Sequence, residues 1–290
     1  MELYIKDEGI KDRSKYSHSP KLNNNFIRDV LKQVFVKVDR MMDKFHNTFP
    51  SPASKNLLYE KTENTQWTSS FFTGMLWLSY EISKDTRYKE LAEKHIESFR
   101  QRLYNKMHID THDLGFLYTL SCVSAYKLTK NEDAKKIATD AARYLSSRYW
   151  EKAGIIQAWG KMDDKDERGR IIIDCMMNLP LLYWAWETTG DKRFFEIAYN
   201  HAQKTAENIV RSDASTYHTF YFDVDTGKPL FGKTHQGYSD DSCWARGQAW
   251  GIYGFVLSYT YTKKREFIEV AKRLLNYYLN RLPDDYIPYW

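Results

Sequence analysis

Apolar positions recur at helical spacing through most of the chain, with charged residues on the opposite face. This pattern predicts helices at roughly 25–46, 68–84, 86–106, 113–129, 132–149, 173–189, 192–211, 243–262 and 265–281. Strand-like runs are scarce. The exception is Tyr217-His218-Thr219-Phe220-Tyr221-Phe222-Asp223, followed by the turn signal Asp225-Thr226-Gly227-Lys228-Pro229, which reads as a hairpin between helices. A weak repeat underlies the helices. Those near 86, 132, 192 and 265 each carry an aliphatic-Ala pair: Leu91-Ala92, Ile137-Ala138, Ile197-Ala198 and Val270-Ala271. Each follows an aromatic-rich helix and a short polar link: Ser83-Lys84-Asp85, Thr129-Lys130-Asn131, Thr189-Gly190-Asp191 and Thr262-Lys263-Lys264. The unit is a helical hairpin whose first helix is the more apolar. That division suits an inner and an outer ring of helices, so the fold class expected is all-α, an α/α toroid rather than an open solenoid of regular repeats. The irregular insertions, 47–66, 150–172 and 213–242, precede apolar helices and are expected to gather at one rim, where functional loops belong.

Composition narrows the classes of function. The 290 residues divide into a polar N-terminal extension, 1–24, and a helical domain, 25–290. Aromatics reach 16%, with 22 Tyr and 9 Trp, enough either to line a sugar site or to pack helices. The net charge of +5 is mild and no dense Lys/Arg block is interleaved with aromatics, which argues against a nucleic-acid surface. No apolar run is long enough to span a membrane, and the polar stretch Met1–Asn25 is not a secretory signal. Cys122, Cys175 and Cys243 form no CxxC and each lies in an apolar helical context, so free thiols in the cytoplasm are expected. The Cys and His spacings fit no metal site, and GxSxG, Walker and GxGxxG motifs are missing. No metal or other cofactor is expected.

Candidate chemistry concentrates in His235-Gln236-Gly237-Tyr238-Ser239-Asp240-Asp241-Ser242-Cys243-Trp244-Ala245-Arg246-Gly247-Gln248-Ala249-Trp250. Tryptophan faces stack on sugar rings, and Arg and Gln hydrogen-bond hydroxyls and carboxylates. The segment reads as a site for a polar, flat, anionic ligand, or else as a well-packed loop-helix junction. Asp113 opens an apolar helix, where Asp is also a favoured N-cap. Asp174 sits between Ile171-Ile172-Ile173 and Cys175-Met176-Met177. A carboxylate in such surroundings has its pKa raised, which suits a general acid, although an N-cap reading exists here too. If the two helices are neighbours, both carboxylates face one cavity beside Trp rings, an arrangement typical of carbohydrate hydrolysis. His218 is either structural or part of that cavity.

Four segments now carry a resemblance. They are Gln66-Trp67 with Phe72-Thr73-Gly74-Met75-Leu76-Trp77, His112-Asp113-Leu114-Gly115-Phe116, Ile173-Asp174-Cys175-Met176-Met177-Asn178-Leu179, and His235-Gln236-Gly237 through Trp244-Ala245-Arg246-Gly247-Gln248-Ala249-Trp250. Together they resemble glycoside hydrolase family 88, the unsaturated glucuronyl hydrolases; the HDxGF piece alone also suits the unsaturated rhamnogalacturonyl hydrolases of family 105. The resemblance implies an (α/α)6 barrel without a metal. It implies a substrate left by a polysaccharide lyase, an oligosaccharide with a 4,5-unsaturated uronic acid at its non-reducing end. The reaction implied is hydration of the C4=C5 vinyl ether, giving a hemiketal that opens and releases the next sugar. By match to the motifs, Asp174 is the general acid and Asp113 its partner. Trp67, Trp159 and Trp244 match sugar-stacking positions, and His218, Gln236 and Arg246 match polar positions around the uronate. One departure stands out: about nine of the twelve helices that such a barrel implies are visible before the chain ends at Ile287-Pro288-Tyr289-Trp290. The expectation from this is an open seam, with self-association across it or lowered stability, and reduced activity. Pectin-derived substrates and a non-catalytic sugar-binding remnant are the competing readings.

Overall fold

Several helices begin where the sequence supplies a capping side chain, as the computed structural model, which describes residues 4–17 and 22–289, shows. Of the expected extension 1–24, residues 1–3 and 18–21 lie outside the described residues. Contacts divide the chain into two units, Ser17–Ile109 with Phe116–Ala141, and Met1–Tyr16 with Asp110–Gly115 and Ala142–Trp290.

The first unit opens with α1 (Asn24–Phe45), capped by Asn23, whose side chain accepts from the Phe26 N–H. A hairpin of β1 (Phe49–Lys55) and β2 (Leu58–Thr62) follows. Sequence periodicity leaves it as an irregular insertion, because its outward residues are nearly all exposed and it buries little beyond Phe49. Next come α2 (Ser69–Ser83), α3 (Thr86–Tyr104), α4 (Leu114–Tyr118), α5 (Ser124–Thr129) and α6 (Glu132–Ser146). The single helix expected over 113–129 is therefore interrupted. Between α4 and α5 lies a π-helical turn, Thr119–Val123, in which the Ser124 hydroxyl donates to the Thr119 carbonyl, 3.1 Å away, across the widened coil. A Cβ on Gly74 of α2 would stand 3.3 Å from Leu120 in that turn, so the two pack tightly.

The second unit holds the short pair β3 (Tyr149–Trp150) and β4 (Ile155–Ile156), then β5 (Arg170–Ile172), α7 (Leu179–Thr189), α8 (Lys192–Asn208), β6 (Thr219–Phe222), β7 (Pro229–Lys233), α9 (Ala245–Thr262) and α10 (Arg265–Leu279). The expected hairpin is present as β6–β7, but β5 joins it to make a three-stranded antiparallel sheet. The helix expected over 173–189 starts instead as a 3-10 turn, Ile173–Met177. Residues 5–16 run along α10: Asn276 donates to Asp7 (2.8 Å), Arg281 to Glu8 (2.6 Å), and the Tyr16 hydroxyl to the Leu279 carbonyl (2.6 Å).

The repeat seen in the sequence has a physical basis. Each link turns through one left-handed residue, Lys84 (φ 61°), Lys130 (φ 59°), Gly190 (φ 77°) or Lys263 (φ 57°). The Ser or Thr before it donates to a carbonyl one turn back: Ser83 to Ser79 at 2.6 Å, and Thr129, Thr189 and Thr262 to Ala125, Ala185 and Ser258 at 2.7 Å. In the first three links the Asp or Asn after it caps the next helix. All four aliphatic-Ala pairs are buried, at 4% exposure or less. Among the described residues, no helix is long and apolar enough to cross a membrane.

Candidate active site

Antiparallel register decides which side chains meet. Ile172 at the end of β5 lies opposite Thr219 at the start of β6, which lies opposite Lys233 at the end of β7. The residues just beyond these positions therefore share one end of the sheet: Asp174 after β5, His218 before β6, and His235 and Gln236 after β7. The Ile173 N–H donates to the His218 carbonyl at 3.0 Å, which pins the turn carrying Asp174 to the strand carrying His218. Two insertions read from the sequence, 150–172 and 213–242, are thus brought together; the third, 47–66, belongs to the other unit.

Helix α9 and the segment before α4 approach the same turn through missing side chains. A Cβ on Gly254 would lie 2.3 Å from the Met176 Cβ, and one on Gly115 would lie 2.2 Å from the Asn178 Cα. Only glycine lets α9 and the Asp113 segment close on the 3-10 turn. These approaches put Asp113, Asp174, Arg246 and Trp250 in one electrostatic environment. The Asp174 pKa is pushed up to about 7, first by burial and next by the Asp113 charge; Arg246 and the Trp250 side chain oppose this more weakly. Asp174 Oδ2 is buried with no hydrogen-bond partner among the described residues. The residue at the N-cap of its turn is Ile172, so the capping alternative for Asp174 is excluded. Asp113 does stand immediately before α4, where a cap belongs, and its Oδ2 also accepts from the Thr111 hydroxyl at 2.8 Å. His112 Nε2 lies 3.5 Å from Asp113 Oδ1. Burial, then the charges of Arg148 and Arg170, lower the His112 pKa to about 3, so this imidazole is neutral.

His218 is 3% exposed, and its Nδ1 accepts the backbone N–H groups of His235 (2.9 Å) and Gln236 (3.1 Å). Burial, then the neighbouring His235, lower its pKa to about 3. A neutral ring whose Nδ1 accepts twice carries its proton on Nε2, and that N–H is buried without a partner among the described residues. The structural reading and the site reading of His218 are therefore compatible, since one nitrogen holds the loop and the other is left over. Arg246 is exposed; its Nη2 donates to Gln236 Oε1 at 2.6 Å, and its guanidinium lies over the Trp244 ring, 4.5 Å from the centroid. Trp159 is half-buried, with Arg170 over its ring at 4.6 Å and His235 edge-on at 5.0 Å. Trp244 is 2% exposed and packs on His218 at 4.6 Å, so most of its surface is already covered.

Seven of the eight expected site residues thus fall in the second unit and lie in or beside this environment. Trp67 is in the first unit, half-buried beside Phe71 (5.7 Å) and Phe116 (5.5 Å). Cys175 and Cys122 are buried, but Cys243 lies in the turn before α9 and is only half-buried, not in a helix as expected. Sequence reasoning missed Thr111, Arg170 and the contribution of Trp250. Trp250 lay inside the aromatic segment and was legible there; Thr111 and Arg170 carry no signal beyond adjacency to Asp113 and Ile171. No group of His, Cys, Asp or Glu that could hold a metal is present among the described residues.

Comparison with known proteins agrees with this geometry. The model of glycosyl hydrolase family 88 matches residues 37–285. An unsaturated chondroitin disaccharide hydrolase of Streptococcus pneumoniae is 44% identical over 98% of this chain and 71% of its own length. The crystal structure of an unsaturated glucuronyl hydrolase from Streptococcus agalactiae superposes with a TM-score of 0.95 at 44% identity, over 99% of this chain and 72% of that one. A mutant of that enzyme with an aspartate replaced by asparagine, crystallised in complex with dGlcA-GalNAc6S, superposes at 0.86 with 40% identity, over 100% of this chain and 72% of that one. The fold class is all-α, of the (α/α)6 type of these structures, with small β-hairpins.

Proposed function

The chain belongs to glycoside hydrolase family 88 and is a glycosidase, and from that premise we propose that it releases 4,5-unsaturated glucuronic acid from the non-reducing end of glycosaminoglycan oligosaccharides left by a lyase. The observation that carries this reading is the buried Asp174, titrating near neutrality beside Asp113 and Arg246. A carboxylic acid that keeps its proton at neutral pH can deliver it to carbon. Asp174 protonates C4 of the vinyl ether, and positive charge develops at C5 and the ring oxygen. The nearby Asp113 carboxylate stabilises that charge. Water adds at C5 and returns a proton to Asp174, so the acid is regenerated and the net change is addition of water. The resulting hemiketal opens and frees the neighbouring sugar.

Binding follows from charge and exposure. Arg246 is the group we assign to the uronate carboxylate, because it is cationic and exposed while His218 is neutral and Gln236 Oε1 already accepts from it. The unpartnered His218 Nε2–H donates to a sugar oxygen. Half-buried Trp159 offers a ring face for stacking, whereas Trp244 chiefly supports Arg246. The dGlcA-GalNAc6S bound by the S. agalactiae mutant supports an unsaturated uronyl disaccharide as the ligand class. Three free thiols fit a cytoplasmic enzyme.

The test is loss of vinyl-ether absorbance with unsaturated chondroitin, hyaluronan and rhamnogalacturonan disaccharides. Turnover of the first two, and a fall of at least about a hundredfold in Asp174→Asn with folding retained, are expected. Turnover of the pectic disaccharide alone would replace the substrate; near-normal turnover by Asp174→Asn would remove Asp174 from the mechanism.

A further inference from the structure

Two carboxylates in one pocket share their protons unless something breaks the symmetry between them. Here the Thr111 hydroxyl supplies one such difference. Thr111 Oγ1 accepts the Asp113 N–H at 3.1 Å, and its own proton is directed to Asp113 Oδ2 at 2.8 Å. A hydroxyl donating to a carboxyl oxygen favours the ionised form of that carboxyl. At Asp174 burial dominates instead: its Oδ2 is buried and unpartnered among the described residues, and the hydrogen bond from the Trp250 side chain acts more weakly than burial. Thr111 is itself held in place. Its backbone pairs with Trp159 across an antiparallel bridge, and the next N–H, that of His112, donates to the Ala158 carbonyl at 2.7 Å. The backbone that carries the hydroxyl is thus held by an isolated β-bridge and an adjoining hydrogen bond.

We propose that Thr111 is a positioning residue that keeps Asp113 the ionised member of the pair, so that the transferable proton resides on Asp174. The inference rests on the reading of Asp174 as the general acid. Other charged and titratable groups act on the pair: Arg148 and Cys175 beside Asp113, Arg246 beside Asp174, and His112, with Arg170 and His201 reaching it from the adjoining strand and from α8. None of them changes when Thr111 alone is altered, so a shift on altering it reports the hydroxyl.

Two nearly isosteric variants separate the roles. Thr111→Val removes the hydroxyl and keeps the shape; Thr111→Ser keeps the hydroxyl and loses a methyl. The measurement is kcat/KM against pH with the unsaturated disaccharide that the wild-type chain turns over, with melting temperature as the folding control. In the Val variant the acid limb moves to higher pH by about one unit, because Asp113 loses a charge-assisted hydrogen bond and becomes harder to ionise. The Ser variant keeps the wild-type limb. If Thr111→Val does not fold, Thr111→Ala carries the same comparison. An acid limb unmoved by loss of the hydroxyl overturns the proposal, whatever the variant's absolute rate. The underlying reading fails separately: an active Asp174→Asn sinks both, whereas an inactive Asp174→Asn with an unmoved Thr111→Val limb sinks this inference alone.

Discussion

An aspartate that titrates near neutrality marks stability as well as rate. The pKa of Asp174 rises from 3.8 in the unfolded chain to about 7 in the folded one. Between those values the folded state binds the extra proton, so this group's contribution to stability declines as pH rises through the window. Asp174→Asn carries no such penalty. The variant is therefore expected to melt above the wild type at about pH 8 and to match it at about pH 4, with a difference of order a few kcal/mol at most on the alkaline side. Thermal scans at the two pH values check this; equal melting at both would remove the raised pKa. The candidate acid was legible in the sequence because one carboxylate interrupts Ile171-Ile172-Ile173 and Cys175-Met176-Met177, and only a partner or a proton makes that tolerable. The part played by Thr111 was not legible, since a threonine two residues before an aspartate is ordinary and its meaning lies in a hydrogen-bond direction. Trp244 was legible as an aromatic near the site but not as a buried one, because burial depends on α9 closing against the sheet end.

Hairpin links are the elements that the sequence displays best. Ser/Thr and a left-handed residue recur in fixed order in all four links, followed by an Asx cap in three of them, so the pairing of helices could be read directly. Lysine at three of the four left-handed positions is a steric compromise that glycine avoids at Gly190. Lys130→Gly is accordingly expected to stabilise the protein by about 0.5–1 kcal/mol, because relief of left-handed strain outweighs the added freedom of the unfolded chain. Chemical denaturation checks it, and a lower midpoint with unchanged slope would count against the argument. The π turn at Thr119–Val123 and the 3-10 turn at Ile173–Met177 were not legible. Both occur inside apolar runs where helical period is the only signal, and a local change of pitch shifts that period by less than a single sequence can reveal. The β1–β2 hairpin was missed because its residues are mostly polar and exposed on both faces.

Across the whole molecule, buried histidines set the acid side of the stability curve. His112, His201 and His218 are held to about 3, and His95 to about 4, in each case chiefly by burial. Their unfolded pKa is near 6.5, so below it the unfolded chain takes up protons that the folded one refuses. Stability is expected to fall as pH drops from about 6.5 toward 4, with net proton uptake on unfolding near pH 5 despite the opposing effect of Asp174. Calorimetry in buffers of different ionisation enthalpy measures that uptake; net release would contradict it. The sheet that gathers the site has a consequence in time as well. Thr219 meets Lys233 within the local β6–β7 hairpin, but Ile172 meets Thr219 only after a long intervening chain that includes α7 and α8 has been laid down. Helical hairpins close through near neighbours and form early, whereas this strand pairing waits on a large loop closure. During refolding from denaturant, the far-ultraviolet helical signal should therefore recover ahead of catalytic competence, and the interval between them measures how long the chain exists with its helices made and its carboxylates not yet introduced to one another.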